Sequence, residues 1–116
     1  MNTLRNKVQL IGNLGQNPEI RTFENGNIVA RFSLATKDSY RDAEGKKITE
    51  TQWHNLIAWG NLAKTIEKYL IKGSEVAVEG KLTHRAFEDK EGKKRYYTEV
   101  VISDMVMFRG RSTAEE

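Results

Sequence analysis

Apolar and polar residues alternate along most of this chain. Val8, Leu10 and Leu14 open a strand over 8–15, in which Gly12 and Gly15 mark a bulge or turn. Gln16-Asn17-Pro18 turns the chain, and 19–23 alternates again as a short second segment. Asn25-Gly26 signals a hairpin, since both residues tolerate positive φ. Ile28, Ala30, Phe32 and Leu34 then share one side of a strand over 27–36. The charged segment 37–47 breaks the alternation and reads as a long mobile hairpin loop carrying Tyr40. The pattern resumes over 51–60, rich in aromatic and branched residues and closed by a glycine. Here Trp53, Asn55, Ile57 and Trp59 share one face, while Gln52, His54, Leu56 and Ala58 share the other. Both tryptophans of the protein therefore stand on one face of one strand, roughly 20 Å apart. A buried core face and an exposed aromatic platform both fit this pattern.

The period then changes. Leu62, Ile66, Tyr69 and Leu70 fall on one helical stripe within 61–72. Asn61 is placed to cap its start, Gly73 to end it, and Lys68 and Lys72 to complement the C-terminal dipole. Val76, Val78 and Leu82 align in a strand over 75–88 with a bend at Gly80, and Glu91-Gly92 lies in the next turn. The last strand, 94–108, alternates as Tyr96, Thr98, Val100 and Ile102 and ends in the apolar run 105–108. Residues 109–116 read as a polar, disordered tail. The elements predict an all-β chain with one short α-helix between the third and fourth main strands. A five-stranded antiparallel Greek-key barrel, the OB-fold, has that arrangement and would occupy 1–108 as a single domain.

Composition narrows this little. The 116 residues suit one domain with a modest core, and 30% charged residues fit a soluble globular protein. There is no cysteine for a disulfide or a thiolate site, no membrane-length apolar run and no signal-like N-terminus, which suits a cytoplasmic protein. A net charge of +3 permits a polyanionic partner without requiring one.

Catalytic chemistry has little to stand on. His54 and His84 each stand alone without metal-binding spacing, no nucleophile elbow or phosphate loop occurs, and the carboxylates are scattered. No enzyme, metal or cofactor is expected. The segment 81–95 points elsewhere. It carries Lys81, His84, Arg85, Lys90, Lys93, Lys94 and Arg95 around Phe87, diluted by Glu88, Asp89 and Glu91. An aromatic on a strand running past the core is exposed unless something covers it. Cations interleaved with exposed aromatics neutralise phosphates while bases stack, and Tyr40 repeats this beside Lys37 and Arg41.

An ordered set of short motifs resembles the bacterial single-stranded DNA-binding protein family. It runs through Asn6-Lys7-Val8, Gly12-Asn13-Leu14-Gly15, Pro18-Glu19-Ile20-Arg21, Leu34-Ala35-Thr36, Trp53-His54 and Gly60-Asn61-Leu62-Ala63. It continues through Tyr69-Leu70-Ile71-Lys72-Gly73, Val78-Glu79-Gly80 and Tyr96-Tyr97-Thr98-Glu99-Val100, so that it spans roughly residues 4–108. The resemblance implies an OB-fold homotetramer that wraps single-stranded DNA without sequence preference in replication, recombination and repair, with neither cofactor nor catalysis, in the nucleoid. It places base stacking at Tyr40, Trp53, Trp59 and Phe87. Tyr40, Trp59 and Phe87 depart from the commonest aromatic at their positions but keep the aromatic character. It places phosphate contacts at Arg5, Lys7, Lys72, Arg85 and Arg95, and His54 at a subunit contact. Asn61 and Ala86 stand where well-known members carry basic residues, which implies weaker or less salt-dependent binding. Leu56 and the Val76/Val78 strand join His54 as candidates for a subunit interface.

The family usually continues into a glycine- and glutamine-rich linker and an acidic tip that recruits replication and repair enzymes. This sequence ends at Glu115-Glu116 with neither, which fits either a shortened chain or a short form of the family, and only in a short form is recruitment through such a tip not expected. An OB-fold interaction protein whose aromatic face meets another protein is the competing reading, and tryptophan exposure in the free chain discriminates the two.

Overall fold

The computed structural model describes residues 3–108. The tail expected over 109–116 lies outside the described residues. After a short 3-10 turn (Thr3–Arg5) come β1 (Val8–Leu14), β2 (Glu19–Thr22), β3 (Ile28–Arg41), β4 (Lys47–Trp59), α1 (Gly60–Tyr69), β5 (Glu75–Glu88) and β6 (Lys94–Met107).

The strands run in the order β1-β5-β6-β4-β3-β2, and β1 also pairs with β3, which closes five of them into the OB-fold barrel. The edge of β3 is shared end to end: β2 takes Ile28 to Arg31, and β1 takes Leu34 and Ala35. One pairing departs from the antiparallel expectation. β4 and β6 run parallel at Leu56↔Val100 and Ile57↔Val101. The crossover through α1 and β5 brings β6 back in the direction of β4, and a crossover is what a parallel pair requires.

Leu14, Ile28, Ala30, Phe32, Leu34, Leu56, Ala58, Val76, Val78, Val100 and Ile102 fill the barrel, and Ala63, Ile66 and Leu70 of the helix region pack onto them. Leu56, Val76 and Val78 are thus taken up by the chain's own core and are not free for a subunit interface. Gly12 does not form a bulge or turn. It stays in the ladder opposite Val76, where a Cβ would collide with the Ala35 carbonyl, so its missing side chain lets β3 close against β1. The bend expected at Gly80 is a register shift between Glu79 and Gly80.

The helix is shorter than the stripe suggested. Trp59 rather than Asn61 is its N-cap, without a side-chain bond, and the Leu70 N–H donates to the Ile66 carbonyl at its end. Tyr69 is exposed. Gly73, with φ +90°, serves instead in a turn closed by Ser74 N–H to the Ile71 carbonyl at 3.0 Å. That turn docks on β1: the Asn13 side chain donates to the Gly73 carbonyl at 3.1 Å, and the Lys72 N–H donates to Asn17 Oδ1 at 2.8 Å.

The segment 37–47 is not a long loop. β3 and β4 stay paired to Arg41↔Lys47, leaving a tight turn over 42–46, and β5 and β6 stay paired to Glu88↔Lys94. Phe23/Asn27, Asp42/Lys46 and Asp89/Lys93 close three turns of the same form, each with an i to i+3 bond and a glycine at positive φ. In the first, Gly26 alone takes positive φ, not Asn25. The two long hairpins leave the barrel as arms. The radius of gyration is 16.6 Å, against ~13 Å for a compact domain of about this size.

Candidate nucleic-acid interface

Register decides which side chains meet. Along β3 and β4 the inward row contains Ala30, Phe32, Leu34, Leu56 and Ala58. The pairs Val29↔Trp59, Arg31↔Ile57, Ser33↔Asn55 and Ala35↔Trp53 therefore lie on the opposite face, where Val29, Ala35 and Ile57 are themselves buried and the tryptophans stand out. Ile57↔Val101 carries this surface onto β6, and β6 carries it onto β5 through Glu99↔Thr83, Tyr97↔Arg85 and Arg95↔Phe87. Trp53, Trp59, Phe87, Arg85 and Arg95 thus share one continuous outer wall. Trp53 is 60% exposed, Trp59 43% and Phe87 47%, so the tryptophan face is not a core face of this chain.

Tyr40 is 49% exposed but lies elsewhere. It pairs with Ile48, five residues from Trp53 along β4, and an odd spacing puts it on the opposite side of the arm.

Trp53, Trp59 and Phe87 each have a specific support. The Trp53 indole lies over Gly15, where a Cβ would strike the ring. Phe23 stacks on Trp59 with centroids 6.1 Å apart and planes at 20°, and the Arg21 guanidinium sits 5.2 Å from the Phe23 centroid. Phe87 meets Tyr97 edge-on at 5.9 Å, and both line a groove of about 390 Å³ with Arg85 and Ala86. Phe23 and Tyr97 escaped the sequence reading. A signal existed for Phe23: like Phe87 it lies between a basic residue, here Arg21, and a turn.

The cations are largely paired. Lys7 lies 3.7 Å from Glu79, Arg85 2.7 Å from Glu99 and Arg95 2.8 Å from Asp89. The Arg95 hydrogen bond, then the Lys93 N–H, holds the Asp89 carboxyl below the ordinary carboxylate range. Arg31 donates to the Tyr97 hydroxyl at 3.3 Å, which raises its pKa above the usual arginine value. Arg5 and Lys7 flank Asn6, whose side chain exchanges two hydrogen bonds with the Leu82 backbone, so both stand where β1 meets β5. Lys72 occupies the turn docked on β1, away from the strand ladder of the wall. His54 is on the inward row, partly buried, with Nε2 2.9 Å from Thr36 Oγ1. His84 Nδ1 is 2.8 Å from Thr98 Oγ1 on the β5–β6 arm. Among the described residues no group of His, Cys, Asp and Glu is placed to hold a metal ion, and no helix is long and apolar enough to cross a membrane.

A closed OB-fold barrel with an exposed aromatic and cationic wall is suited to bind a single strand of nucleic acid. Comparison with known proteins agrees. The family model described as the Single-strand binding protein family matches residues 5–108, and the chain belongs to that family. It is 43% identical over 109 residues to a protein named Single-stranded DNA-binding protein 1 of Chlorobaculum tepidum, across 93% of this chain and 67% of that one. Among solved structures, a Plasmodium falciparum SSB in complex with ssDNA superposes with a TM-score of 0.82 at 34% identity, covering 89% of this chain and 94% of the other.

Proposed function

We propose that this chain binds and protects single-stranded DNA without sequence preference, in replication, recombination and repair. The observation that carries the reading is the outer wall: Trp53, Trp59 and Phe87 stand exposed on one surface, with Arg31, Arg85 and Arg95 between and beside them. Every base offers a π-face, so stacking on these rings tolerates any sequence, and the cations neutralise phosphates. In a duplex the base faces are already stacked, so duplex binding is weak. Tyr40 extends the stacking surface around the β3–β4 arm, and Phe23 enlarges it beside Trp59. Arg5, Lys7 and Lys72 meet phosphates where the strand continues round the barrel.

On this reading the chain works as a homotetramer in the cytoplasm, on the nucleoid, and replication and repair proteins are its functional neighbours. A tetramer is supported by the outward row Ile11, Ala77 and Val106, which lies side by side on β1, β5 and β6 with both large members exposed. His54 belongs to a subunit contact in the same reading.

The test is tryptophan fluorescence titrated with oligo-dT, against a duplex of equal length, at two salt concentrations. Strong quenching by the single strand alone, weakening as salt rises, is the expected result. No quenching and no binding would reassign the wall to a protein partner.

A further inference from the structure

The outer wall contains a feature that works against an anionic ligand. Glu99 of β6 stands in its middle, is only 2% exposed, and is the one buried polar or charged residue among those described. A carboxylate there repels phosphate, and its burial is costly unless it is paired. Its partners explain its presence. Oε1 accepts the Arg85 Nε–H at 2.7 Å, and Oε2 lies 4.0 Å from Arg31 Nη1. Arg31 in turn donates to Tyr97, and Tyr97 supports Phe87.

The geometry points to Glu99 as the residue that positions Arg85 for a phosphate of the bound strand. This rests on the single-strand-binding reading and adds a residue to it. A guanidinium is planar, with its donors in a fixed fork. The carboxylate takes Nε, the donor nearest the Arg85 stem. Both terminal amino groups, four N–H in all, are left for a ligand. The Arg85 side chain is half exposed, so these donors are available at the surface. The backbone fixes Glu99 from behind, where it pairs with Thr83 and its carbonyl accepts the Thr83 hydroxyl at 3.2 Å. A carboxylate held on three strands thereby converts a flexible arginine into an oriented one, with its entropy already spent before the DNA arrives.

Charge counting and positioning make opposite forecasts, which gives the test its edge. Glu99→Gln keeps the size of the side chain and adds one positive unit to the wall. By charge alone it binds oligo-dT more tightly and with steeper salt dependence. Positioning forecasts about fivefold weaker binding, with the salt slope shallower by ~0.7 for the lost phosphate contact. Arg85→Ala weakens binding about tenfold, and Glu99→Gln added to it causes no further loss, since the two act as one unit. Equal or tighter binding by Glu99→Gln, or losses that multiply in the double variant, would overturn the inference. Circular dichroism and melting verify that each variant is folded. If Glu99→Gln unfolds, Glu99→Asp decides. It keeps the charge but withdraws it by one methylene, so weaker binding supports positioning and unchanged binding refutes it. Wild-type protein that fails to bind oligo-dT would instead overturn the single-strand reading itself.

Discussion

The indole of Trp53 rests on Gly15, so closely that a single methyl group on that glycine would strike the ring. Gly12, three residues earlier, is equally crowded, but by the backbone carbonyl of Ala35. The same substitution should therefore have opposite consequences at the two sites. At Gly15 the obstacle is the far end of a side chain that can swing away. Gly15→Ala is expected to change stability by less than ~1 kcal/mol while displacing Trp53 and weakening single-strand binding. At Gly12 the obstacle is a strand. Gly12→Ala is expected to cost ~2–3 kcal/mol of stability through forced backbone movement. Urea unfolding and oligo-dT titration, run on both variants, separate the two effects.

The Phe23–Trp59 stack makes a prediction that the sequence did not. Phe23 is partly exposed and adds its face to that of Trp59. Phe23→Ala is expected to weaken single-strand affinity by ~1 kcal/mol and to alter the quenching of Trp59. Trp53→Ala and Phe87→Ala should each cost ~1–3 kcal/mol of affinity and leave the fold intact. Unchanged binding in the last two variants would remove the stacking assignment.

These positions also show how much the chain declared beforehand. The Trp53/Trp59 face followed from period two alone, because alternation survives wherever one side of a strand is buried. It failed over 37–47, where the arm is solvated on both sides and nothing selects apolar residues, so a strand resembled a loop. The side occupied by Tyr40 was illegible for the same reason, since parity can be counted only once the strand is known to continue. Tyr96 fell on the apolar alternation of its strand yet is exposed, because its part of β6 lies beyond the barrel. Glu99 was illegible for a different reason. Its burial depends on three strands meeting, and no local pattern separates it from any surface glutamate.

Asp89 supplies a prediction in pH. Its carboxyl accepts from Arg95 Nε and from the Lys93 and Glu91 N–H groups, closing the turn at the tip of the β5–β6 arm. Its pKa is lowered in the folded protein, first by Arg95. A lowered folded pKa means the contribution is present above the unfolded value and is lost as pH falls through the folded one. The tip should hold its structure at neutral pH and loosen only in acid, below the ordinary carboxylate range. NMR titration of the Asp89 carboxyl should give a midpoint below that of a free aspartate, and Arg95→Ala should move it upward. A midpoint at the ordinary value would mean the pair does not persist in solution.

The outer face of β1, β5 and β6 bears on assembly. Ile11, Ala77 and Val106 are direct neighbours across three strands, and Asp104 pairs with Glu79 beside them. Leu56, Val76 and Val78 are consumed by the core, so an apolar subunit contact has this outward row to draw on. Val106 is exposed in the single chain, and Val106→Asp therefore leaves the core unchanged. If the row is a subunit interface, the substitution buries an unpaired carboxylate there, which disrupts assembly by several kcal/mol. Sedimentation velocity should then show a smaller oligomer for Val106→Asp, with the far-ultraviolet dichroism of the native fold. The same mass as the wild-type assembly would move the interface elsewhere, and a monomeric wild type would remove the tetramer altogether. Because both tryptophans stand on β4 and Val106 near the end of β6, the variant should still quench with oligo-dT. Its affinity for long strands alone should fall, since fewer linked sites then share one strand.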